Sequence, residues 1–274
     1  MLTGGETGPC PFCPGNEAMT PPEVDAVRAP GSAPDGPGWT VRAFPNKYPA
    51  ALGHEVVAEG ERHLEQPGDL DESTWEQAIA VWQRRVAALE ADGGHAFLFK
   101  NVGKAAGASI AHNHSQILRL DAPPPRIALE AQRAEEAGFC PWCREIAAAR
   151  AEERTILETG GHVVLSPEPP KLPHETWVLP VRCDDDFLST DRASLARALA
   201  PLFAAVRDSL RSPASNLWLH RMRDRRFHWH FELQPRTGQL AGLELGADMY
   251  INSLPAAESA ALLRAPMMRR EDGG

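Results

Sequence analysis

Two long stretches of the chain carry apolar residues at every third or fourth position. In the first, Trp75, Ala78, Ile79, Trp82, Val86 and Leu89 keep helical spacing until Gly93-Gly94 stops the run, and Ser73-Thr74-Trp75-Glu76 reads as its capping box. The second stretch, Leu195, Leu199, Leu202, Phe203, Val206 and Leu210, is entered at Thr190 or Asp191. A third helical stretch, Ile127 to Ala137, ends at Gly138. Short apolar or alternating segments predict strands at residues 54 to 59, 95 to 101, 109 to 118, 174 to 181, 215 to 220 and 227 to 234. Hairpin-like strands beside one long helix in each half predict an α+β fold with a largely antiparallel sheet.

The pattern also repeats. Cys10 and Cys13 recur as Cys140 and Cys143 at an offset of 130. At an offset of 120, Gly53-His54-Glu55-Val56-Val57 falls on Pro173-His174-Glu175-Thr176-Trp177, and His63 falls on Cys183. At an offset of 116, His112, His114 and Gln116 fall on His228, His230 and Glu232. Declining offsets are what two copies of one fold produce when the second has shorter loops. The chain therefore divides into a first repeat at residues 1–122, a linker helix at 123–139, a second repeat at 140–264 and a flexible tail at 265–274.

The repeat changes the meaning of the cysteines. A lone C-x-x-C pair is equally a redox pair, two small buried hydrophobes or half of a metal site. Here each copy offers four ligands in the same order: Cys10, Cys13, His63 and His112, then Cys140, Cys143, Cys183 and His228. Both sets match accepted structural zinc types, so two Zn per chain are expected.

Composition narrows the partners. The 274 residues are 43% hydrophobic and 24% charged, ordinary for a globular protein, and the net charge is −9. An acidic chain repels a phosphate backbone, which disfavours nucleic acid as partner. No apolar run is long enough to span a membrane, and the first residues lack a signal-peptide pattern, so a cytoplasmic protein is expected.

The chemistry gathers between Asn101 and Gln116. If residues 109 to 118 are extended, His112, His114 and Gln116 share one face. Upstream, the turn holding Asn101, Gly103 and Gly107 can bring backbone N–H groups close to an anion. A neutral imidazole is a good nucleophile toward phosphorus when a backbone acceptor fixes its tautomer. An isolated H-x-H is more often two strand histidines on a polar face.

Joined as N-x-G-x-x-x-G-x-S-x-x-H-x-H-x-Q, the segment resembles the histidine-triad superfamily, and in particular its galactose-1-phosphate uridylyltransferase branch. The resemblance extends to CPFCPGNE, VRAFPNKYPAL, HEVVAEGERH, FHWHFELQPR and AGLELG, and so to most of residues 10 to 265. It implies tandem histidine-triad-like repeats with His114 as nucleophile and Gln116 hydrogen-bonding the phosphoryl oxygens. It further implies phosphate contacts from Asn101, Gly107 and Ser109, a nucleoside pocket at Phe44 and Asn46, a sugar-phosphate contact at Glu244, and His112 as metal ligand. A homodimer is also suggested. The AGLELG segment and the second cysteine pair look closer to ADP-glucose phosphorylases than to uridylyltransferases.

The expected activity is transfer of a nucleoside monophosphate from a nucleoside diphosphate sugar to a sugar 1-phosphate or phosphate, as in UDP-glucose hexose-1-phosphate uridylyl transfer in galactose metabolism. A rival within the same chemistry is a phosphorylase or hydrolase of ADP-glucose or a dinucleoside polyphosphate. A rival of another class is a zinc-dependent binding module, supported by the C-x-x-C loops and the basic run from Arg221 to Arg226. The second repeat, with Glu232 in place of the glutamine, is expected to be catalytically silent.

Overall fold

The protein, described by a computed structural model over residues 8–223 and 227–271, is built on one ten-stranded antiparallel sheet. The first half supplies β1 (Asp25–Arg28), β2 (Trp39–Pro45), β3 (His54–Glu59), α1 (Glu72–Leu89), β4 (His95–Val102) and β5 (His114–Leu120). Two helices follow, α2 (Pro125–Ala137) and α3 (Pro141–Ala151). The second half supplies β6 (Thr155–Thr159), β7 (His162–Leu165), β8 (Thr176–Pro180), α4 (Arg192–Leu210), β9 (Ser215–His220) and β10 (His230–Pro235). Helices α5 (Gly242–Ala247) and α6 (Ala256–Glu271) close the chain.

Strand order is β1-β2-β3-β5-β4-β9-β10-β8-β7-β6, so the five strands of each half follow the same order and meet at β4 and β9. The two halves thus share one sheet, with Phe99 opposite Trp218 and Asn101 opposite Asn216 across the join.

Side-chain alternation separates the faces of this sheet. Val57 and Ile117 join the main core under α1 and α4, whereas Val56 and Ala58 pack with Phe12 and Phe44 on the other side. Within the core Trp75 stacks on Phe203 at 5.0 Å, tying α1 to α4. Both rings are buried, so truncating either to alanine costs about 3–5 kcal/mol.

Three local expectations change. Helix α1 starts at Glu72, two residues before the Ser73 capping box would allow, because Asp71 accepts the Thr74 N–H at 2.7 Å and is the cap. The strand expected from residue 109 begins only at His114; residues 109 to 113 are irregular. Residues 265 to 271 of the expected tail continue α6, held by buried Leu263 and by Met267 packed on the main core. Helix α4 runs through Pro201 without breaking. Among the described residues no helix is long and apolar enough to cross a membrane.

Candidate active site

The late start of β5 decides the site. His114 and Gln116 alternate onto the face away from α1, while Ser115 and Ile117 point into the core. His112, outside the strand, is free to turn toward the loop of Cys10 and Cys13. A cavity of about 270 Å³ results, lined by Phe12, Phe44, Asn46, Ser109, Ile110, His114 and Gln116 among others. Ser109 and Ile110 both reach this wall, which an extended strand would have prevented.

The nucleophile candidate has one defined tautomer. Nδ1 of His114 lies 2.8 Å from the carbonyl oxygen of His112, which can only accept, so Nδ1 carries the proton and Nε2 keeps its lone pair. Burial pushes the pKa of His114 down to about 4, with neighbouring Lys100 acting in the same direction and the His112 carbonyl opposing. The imidazole is therefore neutral at physiological pH, the form that can attack. The Phe12 ring packs against it in a T-shaped arrangement, with ring centroids 5.3 Å apart.

The glycine turn contributes differently from the expectation. The N–H groups of Ala106, Gly107 and Ala108 bond to carbonyls of Lys104 and Gly103 within the turn, so they are not a phosphate cradle. Gly103 and Gly107 have φ of +76° and +90°, and a Cβ on Gly103 would sit 3.0 Å from that of Ala214. The turn is thereby seated against the second half. Asn101 is not on the cavity wall; its Oδ1 accepts from Asn216 Nδ2 at 2.8 Å, which leaves its NH₂ end toward Gly107. Asn216, itself held by Arg236 at 2.7 Å, was not found from the sequence, because only the join of β4 and β9 brings it to Asn101.

Cys10, Cys13, His63 and His112 place their ligand atoms within 4.8 Å of one another. Cys13 Sγ lies 3.4 Å from Nδ1 of His63 and 3.6 Å from Nδ1 of His112. Tetrahedral zinc with bonds of about 2.3 Å to sulfur and about 2.05 Å to nitrogen would separate S and N by about 3.6 Å. Nε2 of His112 lies 2.8 Å from the Gly60 carbonyl, the second-layer bond that orients metal-binding histidines. The donor set fits a metal ion.

The second half gathers Cys140, Cys143 and His228 in the same way, with His228 Nδ1 3.4 Å from Cys140 Sγ and Nε2 2.7 Å from the Pro180 carbonyl. Cys183 lies outside this tight group; it is exposed, yet close enough to Cys143 to contribute to raising that thiol to about 12, after burial and Cys140. A further group that the sequence reading missed, Glu130, His220 and His230, also converges, with His220 Nδ1 2.8 Å from Glu130. Glu130 comes from α2, so no spacing within the repeat pointed to it.

The counterpart of the His114 and Gln116 position is closed. Arg126 from α2 meets both oxygens of Glu232 at 2.7 Å, and Trp142 and Trp177 stand 5.4 and 5.2 Å from the His230 ring. Burial raises the pKa of Glu232, but hydrogen bonding to His230 and the charges of His220 and Arg126 outweigh it and hold the carboxylate ionised. A cavity of about 510 Å³ opens nearby, beside Cys140 and His228, without a free H-x-H face. Glu244 is half-buried and caps its own helix by accepting the Ala241 N–H at 2.9 Å; it is not on the His114 cavity wall. Of the basic run, Arg221 is buried against Glu90 at 2.7 Å and exposed Arg223 donates to the Glu90 carbonyl; residues 224–226 lie outside the described residues.

No family model matches the chain. It is 26% identical to an ADP-glucose phosphorylase of Arabidopsis thaliana, over 93% of this chain and 81% of that protein. It is 27% identical to a galactose-1-phosphate uridylyltransferase of Thermotoga maritima, over 93% of this chain and 88% of that protein. The crystal structure of an ADP-glucose phosphorylase from Arabidopsis thaliana with bound ADP-glucose superimposes with a TM-score of 0.82, at 25% identity, covering 96% of this chain and 92% of that one. Matching in both sequence and fold along nearly its whole length, the chain has an ADP-glucose phosphorylase and a galactose-1-phosphate uridylyltransferase as homologues, both enzymes of the nucleotidyltransferase type.

Proposed function

We propose that the protein transfers a nucleoside monophosphate from a nucleoside diphosphate sugar to a phosphate or sugar 1-phosphate through a covalent adduct on His114. The observation that carries this reading is the single tautomer of His114, neutral and unprotonated at Nε2, on the wall of a nucleoside-sized cavity. Nε2 attacks the α-phosphorus, an N–P bond forms, and the bond to the bridging oxygen breaks, releasing the sugar phosphate. The acceptor's phosphate oxygen then attacks the same phosphorus, and the N–P bond breaks to restore the imidazole. Gln116 binds the phosphoryl oxygens, Ser109 and Asn101 with Gly107 shape the phosphate side, and Phe44 and Asn46 hold the nucleoside.

Zinc is the metal that best suits both cysteine-histidine groups, two ions per chain, with Cys183 as the fourth ligand of the second. The ions would supply structure, fixing the loop of Cys10 and Cys13 and the residue before the nucleophilic strand. The first repeat, 1–122, then carries the reaction and the second, 140–264, braces it through Asn216. Exposed Leu245, Met249 and Ile251 beside Glu244 support a homodimer in which this segment is covered. Thiolate ligands need reducing surroundings, which supports a cytoplasmic location.

Inorganic phosphate as acceptor is favoured by the AGLELG segment and by the second cysteine pair. Intact mass after incubation with UDP-glucose, ADP-glucose or a GDP-sugar tests the whole reading. A nucleoside monophosphate adduct is expected for wild type and none for His114→Ala; discharge by phosphate or by galactose 1-phosphate names the acceptor. No adduct from any of the three would remove the proposal.

A further inference from the structure

His54 lies in β3, on the same face as Gln116 and diagonal to it, since the register partner of Gln116 is Val56. It is only 7% exposed. Its two ring nitrogens have different surroundings. Nδ1 accepts the N–H of Ala50 at 3.1 Å, and a main-chain N–H only donates, so the neutral ring must carry its proton on Nε2. Nε2 lies 2.9 Å from Oε1 of Gln116 and 3.3 Å from Nδ2 of Asn46. The Asn46 amide is fixed the other way round, because its Oδ1 accepts the Tyr48 N–H at 2.9 Å. Two donors do not bond, and the Nε2 proton goes to Gln116.

A glutamine whose carbonyl oxygen is engaged in this way presents its NH₂ group elsewhere. Turned over, the same amide would offer a carbonyl oxygen to an anion and repel it. We infer that His54 is a positioning residue that sets the direction of the Gln116 amide, so that Gln116 offers donors, never its carbonyl, to the phosphoryl group being transferred. This inference rests on the nucleotidyl-transfer reading above. The second half lacks the arrangement: His174, the counterpart of His54, lies 3.2 Å from Ser259, and Glu232 is held by Arg126.

Substitutions at His54 separate positioning from mere packing. His54→Asn can still accept from Ala50 but is too short to reach Gln116, whereas His54→Gln places a donor near the Nε2 position. With whichever sugar nucleotide labels wild type, single-turnover adduct formation is expected to slow by about 10- to 100-fold in His54→Asn, with apparent substrate binding changed by less than about 3-fold. His54→Gln should recover to within about 5-fold of wild type, and in a Gln116→Ala background His54→Asn should cost no more than about 2-fold further. A wild-type rate in His54→Asn, or losses that add in the double variant, would overturn the inference.

Nitrogen-15 NMR of the free protein, with the His54 signals assigned by their loss in His54→Asn, gives a readout that needs no substrate. The Nε2–H tautomer is expected, and Nδ1–H overturns the inference whatever the reaction. If wild type forms no adduct, the functional reading fails at that control, before any His54 variant is compared, and the role of His54 in transfer falls with it.

Discussion

The ammonium of Lys100 sits behind the sheet between the carboxylate of Glu59 and the main-chain carbonyl of His114, 3.1 Å from the latter. Both side chains are essentially inaccessible to solvent, and Trp82 donates to Glu59 and to Ser115 beside them. The regular pairing of β4 with β5 ends at Phe99 and Gln116, so Lys100 reaches the carbonyl just where the ladder stops. The strand bearing His114 is thus anchored from the face opposite the cavity.

Removing one partner of that pair strands the other charge. Lys100→Met is expected to destabilise the fold by about 3–5 kcal/mol in urea unfolding, and Lys100→Met with Glu59→Gln to recover most of it. A single-variant loss below about 1 kcal/mol would show that the pair anchors nothing.

Acid should weaken the fold in a defined window. Burial pushes His95 down to about 4, with Arg221 and His220 acting the same way and Glu90 opposing. An unfolded histidine titrates near about 6.5, so between the two values the unfolded chain binds a proton that the folded chain refuses. Stability therefore rises with pH across that window and is lost as pH falls from about 6.5 to about 4. His95→Gln should flatten the slope of unfolding free energy against pH; an unchanged slope would assign the acid sensitivity to other groups.

Metal content distinguishes the two cysteine-histidine groups. Wild type should hold close to two equivalents of zinc, and Cys10→Ser or Cys140→Ser about one each. Loss of adduct formation is expected with Cys10→Ser, because His112 and His114 share one short segment. A Cys140→Ser variant that keeps two equivalents would remove the second site.

Opening the second half should not make it reactive. Arg126→Ala leaves buried Glu232 without its bidentate partner, at a cost of about 2–3 kcal/mol, less than a fully buried pair because Arg126 is 38% exposed. Glu232→Gln should still give at most one adduct per chain, since Trp142 and Trp177 pack around His230. Two adducts in either variant would contradict this account.

The helical spacing from Trp75 to Leu89 and from Leu195 to Leu210 led directly to α1 and α4, because one face of each helix packs on the core and the other meets water. The cysteine pairs were legible for a similar reason: two ligands on one tight loop leave a short spacing that survives in sequence. Strands β1, β2, β6 and β7 were not predicted; β2 and β7, buried along most or all of their length, lack a clean alternation. The start of β5 was missed because alternation alone does not say where pairing with β3 begins, and that start sends His112 to the metal group and His114 to the cavity.

By itself the sequence determined the repeated spacing and the order of the cysteine and histidine positions along each copy, since these are properties of spacing. Only the tertiary structure decided which nitrogen of His114 is free, that Asn216 braces Asn101, that His54 turns the Gln116 amide and that Arg126 closes the second site. Each of these is a contact between residues far apart in the chain or a choice between two atoms of one ring, and neither leaves a mark in local periodicity.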